Sequence, residues 1–114
     1  MTLYTSYFGK RLKSDRLVSI ARGTPTWFKG KTVLSVAPSW DLVTGIKSGT
    51  ITAEEYADAY FKQLDKLGEE KILLMFEDGD ILLCYEKPED FCHRHLLAKW
   101  LNDRGHSVTE IGGT

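Results

Sequence analysis

Residues 81–101, ILLCYEKPEDFCHRHLLAKWL, decide the fold. Ile81 to Tyr85 is an apolar run of β-type residues, the polar stretch Glu86-Lys87-Pro88 stops it, and an amphipathic pattern of helical period runs from Phe91 to Arg104. Gly105 ends that pattern and Ser107 to Ile111 reads as another strand, which makes a strand–helix–strand unit. The loop sets Cys92, His93 and Arg94 in the first helical turn, where unpaired backbone N–H groups and the positive dipole end favour an anion.

Working back from this unit, Leu3 to Ser6 and Leu17 to Ala21 read as two further short strands. They run out at Ser6-Tyr7-Phe8-Gly9 and at Arg22-Gly23-Thr24-Pro25. The link between them, about ten residues, is short for a crossover helix and predicts irregular turns. Residues 24–39 read as a loop with Trp27 inside it and Trp40 just beyond. Aromatic side chains there either contact a ligand, as loops on a rigid scaffold do, or plug the core edge.

Ser39 is placed to cap a helix from Trp40 to Lys47, and Thr52 with Glu55 forms a capping box for a longer helix to Leu67. A third helical stretch, Glu69 to Phe76, follows Gly68, and Asp78-Gly79-Asp80 turns the chain into the strand at Ile81. Residues 112–114 read as a frayed end. Short strands alternating with helices predict one α/β domain over residues 1–114, with a short, mostly parallel, Rossmann-like sheet of about four strands flanked by helices. Ligands of such sheets sit beyond the carboxyl ends of the strands. Three strand ends are expected to converge there: Ser6 to Phe8, Arg22 to Thr24, and Cys84 to Lys87 with Cys92 to Arg94.

The 15 basic and 16 acidic side chains leave a formal charge of −1, which argues against nucleic acid as the partner. No run approaches the roughly 18 apolar residues of a membrane span, and the N-terminus has no apolar signal core, so the reading is cytoplasmic with no membrane partner. In that reducing compartment the two cysteines, Cys84 and Cys92, are expected as thiols rather than a structural cystine. The many aromatic side chains leave room for self-association.

The candidate chemistry follows from residue types at those ends. Arg22 and Arg94 carry planar forks suited to phosphate, Lys87 adds a point charge, and Tyr7, Trp27 and Trp40 offer rings to stack on a base. The competing role for Arg94 is a pair with Glu86 or Glu89. His93 is expected to be held neutral by the helix dipole and to serve in acid–base work or as a hydrogen-bond donor. Glu86 suits a base or a ribose-hydroxyl acceptor, and Cys92 at a helix start is a candidate nucleophile. Cys84, at a strand end, reads as an apolar filler that also lines the site. No metal or cofactor is expected: Cys92 and His93 on one helix would diverge by about 100 degrees, and there is no Cys-x2-Cys pair. There is no GxGxxG, P-loop or Ser-His-Asp arrangement.

The segment CYEKPEDFCHRHLLAKWL resembles the hallmark of the short form of the family named domain of unknown function 488, with Cys84, Glu86, Lys87, Cys92, His93 and Arg94 matching its loop and helix start. TSYFGK, VSIARGTPTWF and APSWDLVTGIKSG are also similar to that form, so the resemblance spans nearly the whole chain. It implies an α/β fold with a pocket around these residues and no established reaction. Short members occur in bacteria and their viruses, and by analogy small viral α/β proteins bind or destroy host nucleotide signals, which suggests an anti-defence role.

The expected function is therefore binding of a phosphate-bearing small molecule, a nucleotide or nucleotide-derived signal, as a sequestering protein. Ser6, Tyr7, Phe8, Arg22, Gly23, Trp27, Trp40, Cys84, Tyr85, Lys87 and Arg94 would contact it. The alternative is a hydrolase or transferase acting on a nucleotide or an N-glycosidic ligand, with Glu86 and His93 in acid–base roles and Cys92 as nucleophile. A nucleic-acid repair or modification factor is a third and weaker reading.

Overall fold

Strand β4 (Ile81–Cys84) is apolar at every position because it is an interior strand, with Leu82, Leu83 and Cys84 buried. β1 (Thr2–Tyr7) pairs on one side of it, with Tyr4 opposite Ile81 and Tyr7 opposite Cys84. β2 (Leu17–Ser19) pairs on the other, with Val18 opposite Leu82. β5 (Ser107–Glu110) extends the sheet beyond β1, and the two-residue β3 (Lys31–Thr32) extends it beyond β2. The computed structural model describes residues 1–87 and 89–111, so Pro88 and the frayed end expected at 112–114 lie outside the described residues. Among the described residues the sheet has five strands, all parallel, in the order β3-β2-β4-β1-β5.

The fold is α/β as expected, with one strand more than the sequence pattern predicts. β3 escapes that pattern because Lys31 and Thr32 are both exposed and show no apolar alternation. Four helices flank the sheet among the described residues: α1 (Trp40–Ser48), α2 (Ala53–Leu67), α3 (Glu69–Leu74) and α4 (His93–Asn102). The main core joins Leu3, Val18, Leu82 and Val108 from the strands with Tyr60, Leu64, Ile72, Leu97 and Leu101 from the helices. A smaller cluster, Phe8, Ala21, Leu83, Cys84 and Cys92, gathers against Leu17, Phe28 and Ile81. The β1–β2 link is a single 3₁₀ turn at Phe8–Lys10 followed by irregular chain, as its length requires.

Three local features carry the outer segments to the strand ends. The capping box at α2 forms in full, with Thr52 and Glu55 exchanging side-chain and backbone bonds. Tyr60 on α2 donates its hydroxyl proton to the Val36 carbonyl at 2.6 Å, and Gln63 donates to that of Ala37 at 2.7 Å. These bonds pin Val36 and Ala37 across α2. Ser39 then caps α1 by accepting from the Leu42 N–H, which sets Trp40 beside the ends of β2 and β4. Among the described residues no helix is long and apolar enough to cross a membrane.

Candidate functional site

A hollow of about 270 Å³ opens at the carboxyl ends of β2 and β4. Ala21 to Gly23 after β2 and Cys84 to Glu86 after β4 form two sides, while Phe91, Cys92 and His93 at the start of α4 form a third. Trp40, Val43, Ile46 and Lys47 from α1, with Tyr56 from α2, close it over. It lies where parallel α/β sheets bind ligands, and its lining is mostly apolar and aromatic with a few charged groups.

Of the expected residues, Arg22, Gly23, Trp40, Cys84, Tyr85, Glu86, Cys92 and His93 line this hollow. Ser6, Tyr7, Phe8, Trp27, Lys87 and Arg94 do not, so two of the three expected strand ends converge and that of β1 stays out. Ser6 is buried and donates its hydroxyl proton to the Ile111 carbonyl. Phe8 sits under the rings of Trp27, Phe28 and Tyr85, with its centroid 4.8 Å from that of Tyr85. Trp27 lines a separate hollow with Phe28 and Lys29 and carries the Arg11 guanidinium on its face at 4.6 Å. Lys87 is exposed beside the loop.

Arg94 is fully buried behind the floor of the hollow. Its Nε and Nη2 make a forked pair with the Glu110 carboxylate, each at 3.0 Å, and Nη1 reaches both the Glu86 carbonyl and Cys84 Sγ at 2.8 Å. Thr5 Oγ1 donates to the same carboxylate at 2.6 Å. Neither carboxylate named as the competing partner holds this guanidinium. The partner is Glu110, sixteen residues on, and Glu86 contributes only its backbone. Arg22 differs: it is half-buried, its Nε donates to the Pro38 carbonyl at 2.7 Å, and its two terminal nitrogens make no hydrogen bond within the described residues.

Helix α4 starts two residues later than its apolar pattern predicts, with Cys92 as the cap. Cys92 has an extended backbone (φ −156°, ψ 146°), and its sulfur accepts the Arg94 N–H at 3.4 Å, taking the place a cap hydroxyl would fill. Because Cys92 is outside the helix, its side chain and that of His93 converge instead of fanning apart. Cys92 Sγ is 3.7 Å from His93 Nδ1, and His93 Nε2 is 2.6 Å from the Ile20 carbonyl. A carbonyl only accepts, so Nε2 carries the proton and Nδ1 turns its lone pair to the sulfur. His93 is held neutral, its pKa lowered to about 4. Burial is the main cause, the charges of Arg94 and His95 add to it, and the Ile20 bond opposes it. Neutrality was expected from the helix dipole, and burial supplies a strong cause of its own.

The two sulfurs, expected as separate thiols, are in bonding contact, on a backbone whose Cα atoms stand 7.8 Å apart. Cys84 is therefore no mere filler, since its sulfur receives a charged donor from Arg94 and meets that of Cys92. Sequence reasoning missed Tyr56, Lys47 and Phe91 as lining residues. Val43 and Ile46 share the helical spacing of Trp40, which does not by itself tell core from cavity lining, and Tyr56 reads as the first residue of the apolar face of α2. Burial, with the charge of Glu86 adding, pushes the Tyr56 hydroxyl well above its ordinary pKa, so it is a neutral donor at the hollow.

A family model described as DUF488-N3a, active DUF488-N3 subclade, matches residues 9–105, a span that includes every residue lining the hollow. No curated protein and no solved structure matches the chain.

Proposed function

The chain belongs to the DUF488 family, and we propose that it binds a small, ring-bearing molecule with a phosphate, a nucleotide or nucleotide-derived signal, in the hollow at the ends of β2 and β4. The observation that carries this reading is the state of Arg22. One nitrogen is fixed by Pro38, so the fork is pre-oriented, and the remaining donors have no partner within the described residues. An oriented guanidinium with spare donors suits two phosphate oxygens. Trp40, Tyr85 and Phe91 supply exposed ring faces around the same hollow, and Lys47 adds a second positive charge. The volume lies just under the roughly 300 Å³ at which small-molecule sites usually begin, which suits a guest of one ring system and one phosphate.

The catalytic alternative draws on one specific contact, the His93 Nδ1 lone pair facing Cys92 Sγ, which in the reduced chain is the arrangement by which an imidazole takes a thiol proton. Glu86 lines the hollow beside it. One experiment serves both readings: titrate the protein with a panel of mononucleotides while following tryptophan fluorescence, with Trp40→Phe as the control that assigns the signal, then release the bound material by heat and analyse it. Quenching by a phosphorylated but not a dephosphorylated ligand supports phosphate recognition. Recovery of intact ligand identifies sequestration and a new product identifies catalysis. Absence of binding across the panel, or full affinity in Arg22→Ala, overturns the phosphate pocket.

A further inference from the structure

We propose that, once the Cys84–Cys92 contact is reduced to two thiols, Cys84, Cys92 and His93 hold a zinc ion at the floor of the hollow, leaving its fourth position open toward the cavity. The proposal does not depend on which molecule occupies the hollow, or on whether any does. Two sulfurs and one ring nitrogen, from the end of β4 and the start of α4, lie within 4.8 Å of one another, and all three side chains are buried. Each of the three residues also lines the hollow. Three protein donors with one open side is the pattern of zinc sites that keep an exchangeable position.

The surroundings of each donor match what a bound metal requires. A ligating imidazole nearly always gives its other N–H to a carbonyl or carboxylate, and His93 Nε2 does this with the Ile20 carbonyl at 2.6 Å. Its Nδ1 is thereby left as a lone pair aimed at the sulfurs. Cys84 Sγ accepts from the Arg94 guanidinium at 2.8 Å, and Cys92 Sγ accepts from the Arg94 backbone at 3.4 Å. Donors of this kind favour the thiolate, the form that binds metal.

Charge selects the ion. The forked Arg94–Glu110 pair is neutral by itself. Two thiolates, a neutral imidazole and a divalent cation then sum to zero, which a buried cluster demands, whereas a monovalent soft cation leaves one negative charge uncompensated. The backbone agrees. Cα atoms 7.8 Å apart exceed the roughly 4.4–6.8 Å that a cystine spans. A sulfur–zinc–sulfur bridge, with arms of about 2.3 Å each, is longer than a sulfur–sulfur bond and suits the wider separation. The expected divergence of Cys92 and His93 does not arise, because Cys92 caps the helix from an extended conformation.

The test is a titration of the reduced, chelator-stripped full chain with Co²⁺ under anaerobic conditions. The expected result is saturation at one equivalent, with thiolate charge-transfer bands in the near-ultraviolet, the strong visible bands of tetrahedral cobalt, and displacement by Zn²⁺. Zinc should also protect both cysteines from iodoacetamide. Cys92→Ser and His93→Gln should each weaken Co²⁺ binding at least about 100-fold, the upper range seen when even outer partners of a metal site are lost. Weak octahedral spectra only, or closure of the thiols to a cystine in the presence of excess zinc, would overturn the proposal. The wild-type titration decides the matter even if a variant fails to fold.

Discussion

Two pairs of strand ends face the same side of this sheet and are finished in opposite ways. At β1 and β5 every polar group named is consumed by another: Thr5 and Arg94 converge on Glu110, and Ser6 is bonded to Ile111. At β2 and β4 the side chains border a hollow, and Arg22 spends one nitrogen on the backbone while keeping the rest. An arginine serves each pair, Arg94 reaching in from α4 and Arg22 following β2, so residue type alone does not separate structure from recognition. What separates them is a carboxylate on the neighbouring strand: Glu110 lies at the end of β5, within reach of Arg94.

If that contrast is right, the largest effect on the molecule belongs to Arg94. Arg94→Ala leaves Glu110 without its partner and opens a large space behind the floor of the hollow. Breaking a buried, forked ion pair costs about 3–5 kcal/mol. Urea unfolding should show that loss as a large drop in midpoint, and Arg94→Lys should recover only part of it because the fork is gone. A midpoint unchanged in Arg94→Ala would mean that the closed end is not held by this pair, and the comparison would fail.

The second effect is that of acid. His93 is neutral when folded, with a pKa near 4, against the ordinary value of about 6.5 in the unfolded chain. Between these values the unfolded chain binds the extra proton and the folded one does not, so stability rises with pH and is lost as pH falls through that window. The full difference corresponds to about 3 kcal/mol, approached as pH drops to 4. Urea midpoints of the metal-free chain, measured from pH 7 to 4, should therefore decline, and His93→Gln should flatten that decline. An unaltered acid limb in the variant would show that other groups carry it.

Ser6→Ala sets the scale at the closed end. Loss of one hydroxyl bond to the Ile111 carbonyl should cost on the order of 1 kcal/mol and leave ligand affinity untouched. A fall in affinity would return Ser6 to the site, where its position at a strand end had suggested it belonged.

How much of this was legible depends on the range of each interaction. The β4–α4 unit and the α2 capping box are written in contiguous residues, Ile81 to Leu101 and Thr52 to Glu55, and local pattern suffices for both. The partner of Arg94 is not. Glu86 and Glu89 are near in sequence, but Glu110 becomes near only when β5 is laid beside β1. The capping role of Cys92 was hidden for a different reason. Sulfur is not among the usual cap groups, so the helix start was set two residues early, and with it the directions of Cys92 and His93. Of the α1 roof only Trp40 was expected at the site, because an apolar stripe such as Val43 and Ile46 looks the same whether it faces a core or a cavity.

The smallest effect on stability should come from Arg22, and it is the sharpest use of the comparison. Arg22→Ala removes a half-buried side chain with a single hydrogen bond and no carboxylate partner. Nothing charged is left unpaired, so the cost should stay within about 0.5 kcal/mol, as for substitutions away from buried networks. Phosphate affinity should nevertheless fall at least about tenfold, because charge-assisted bonds to an oriented fork are each worth roughly 1.5–3 kcal/mol. Arg94 and Arg22 would then be mirror cases, one variant losing the fold and the other losing the ligand. Should Arg22→Ala unfold as readily as Arg94→Ala, its bond to Pro38 is what holds the roof on, and the open end is as structural as the closed one.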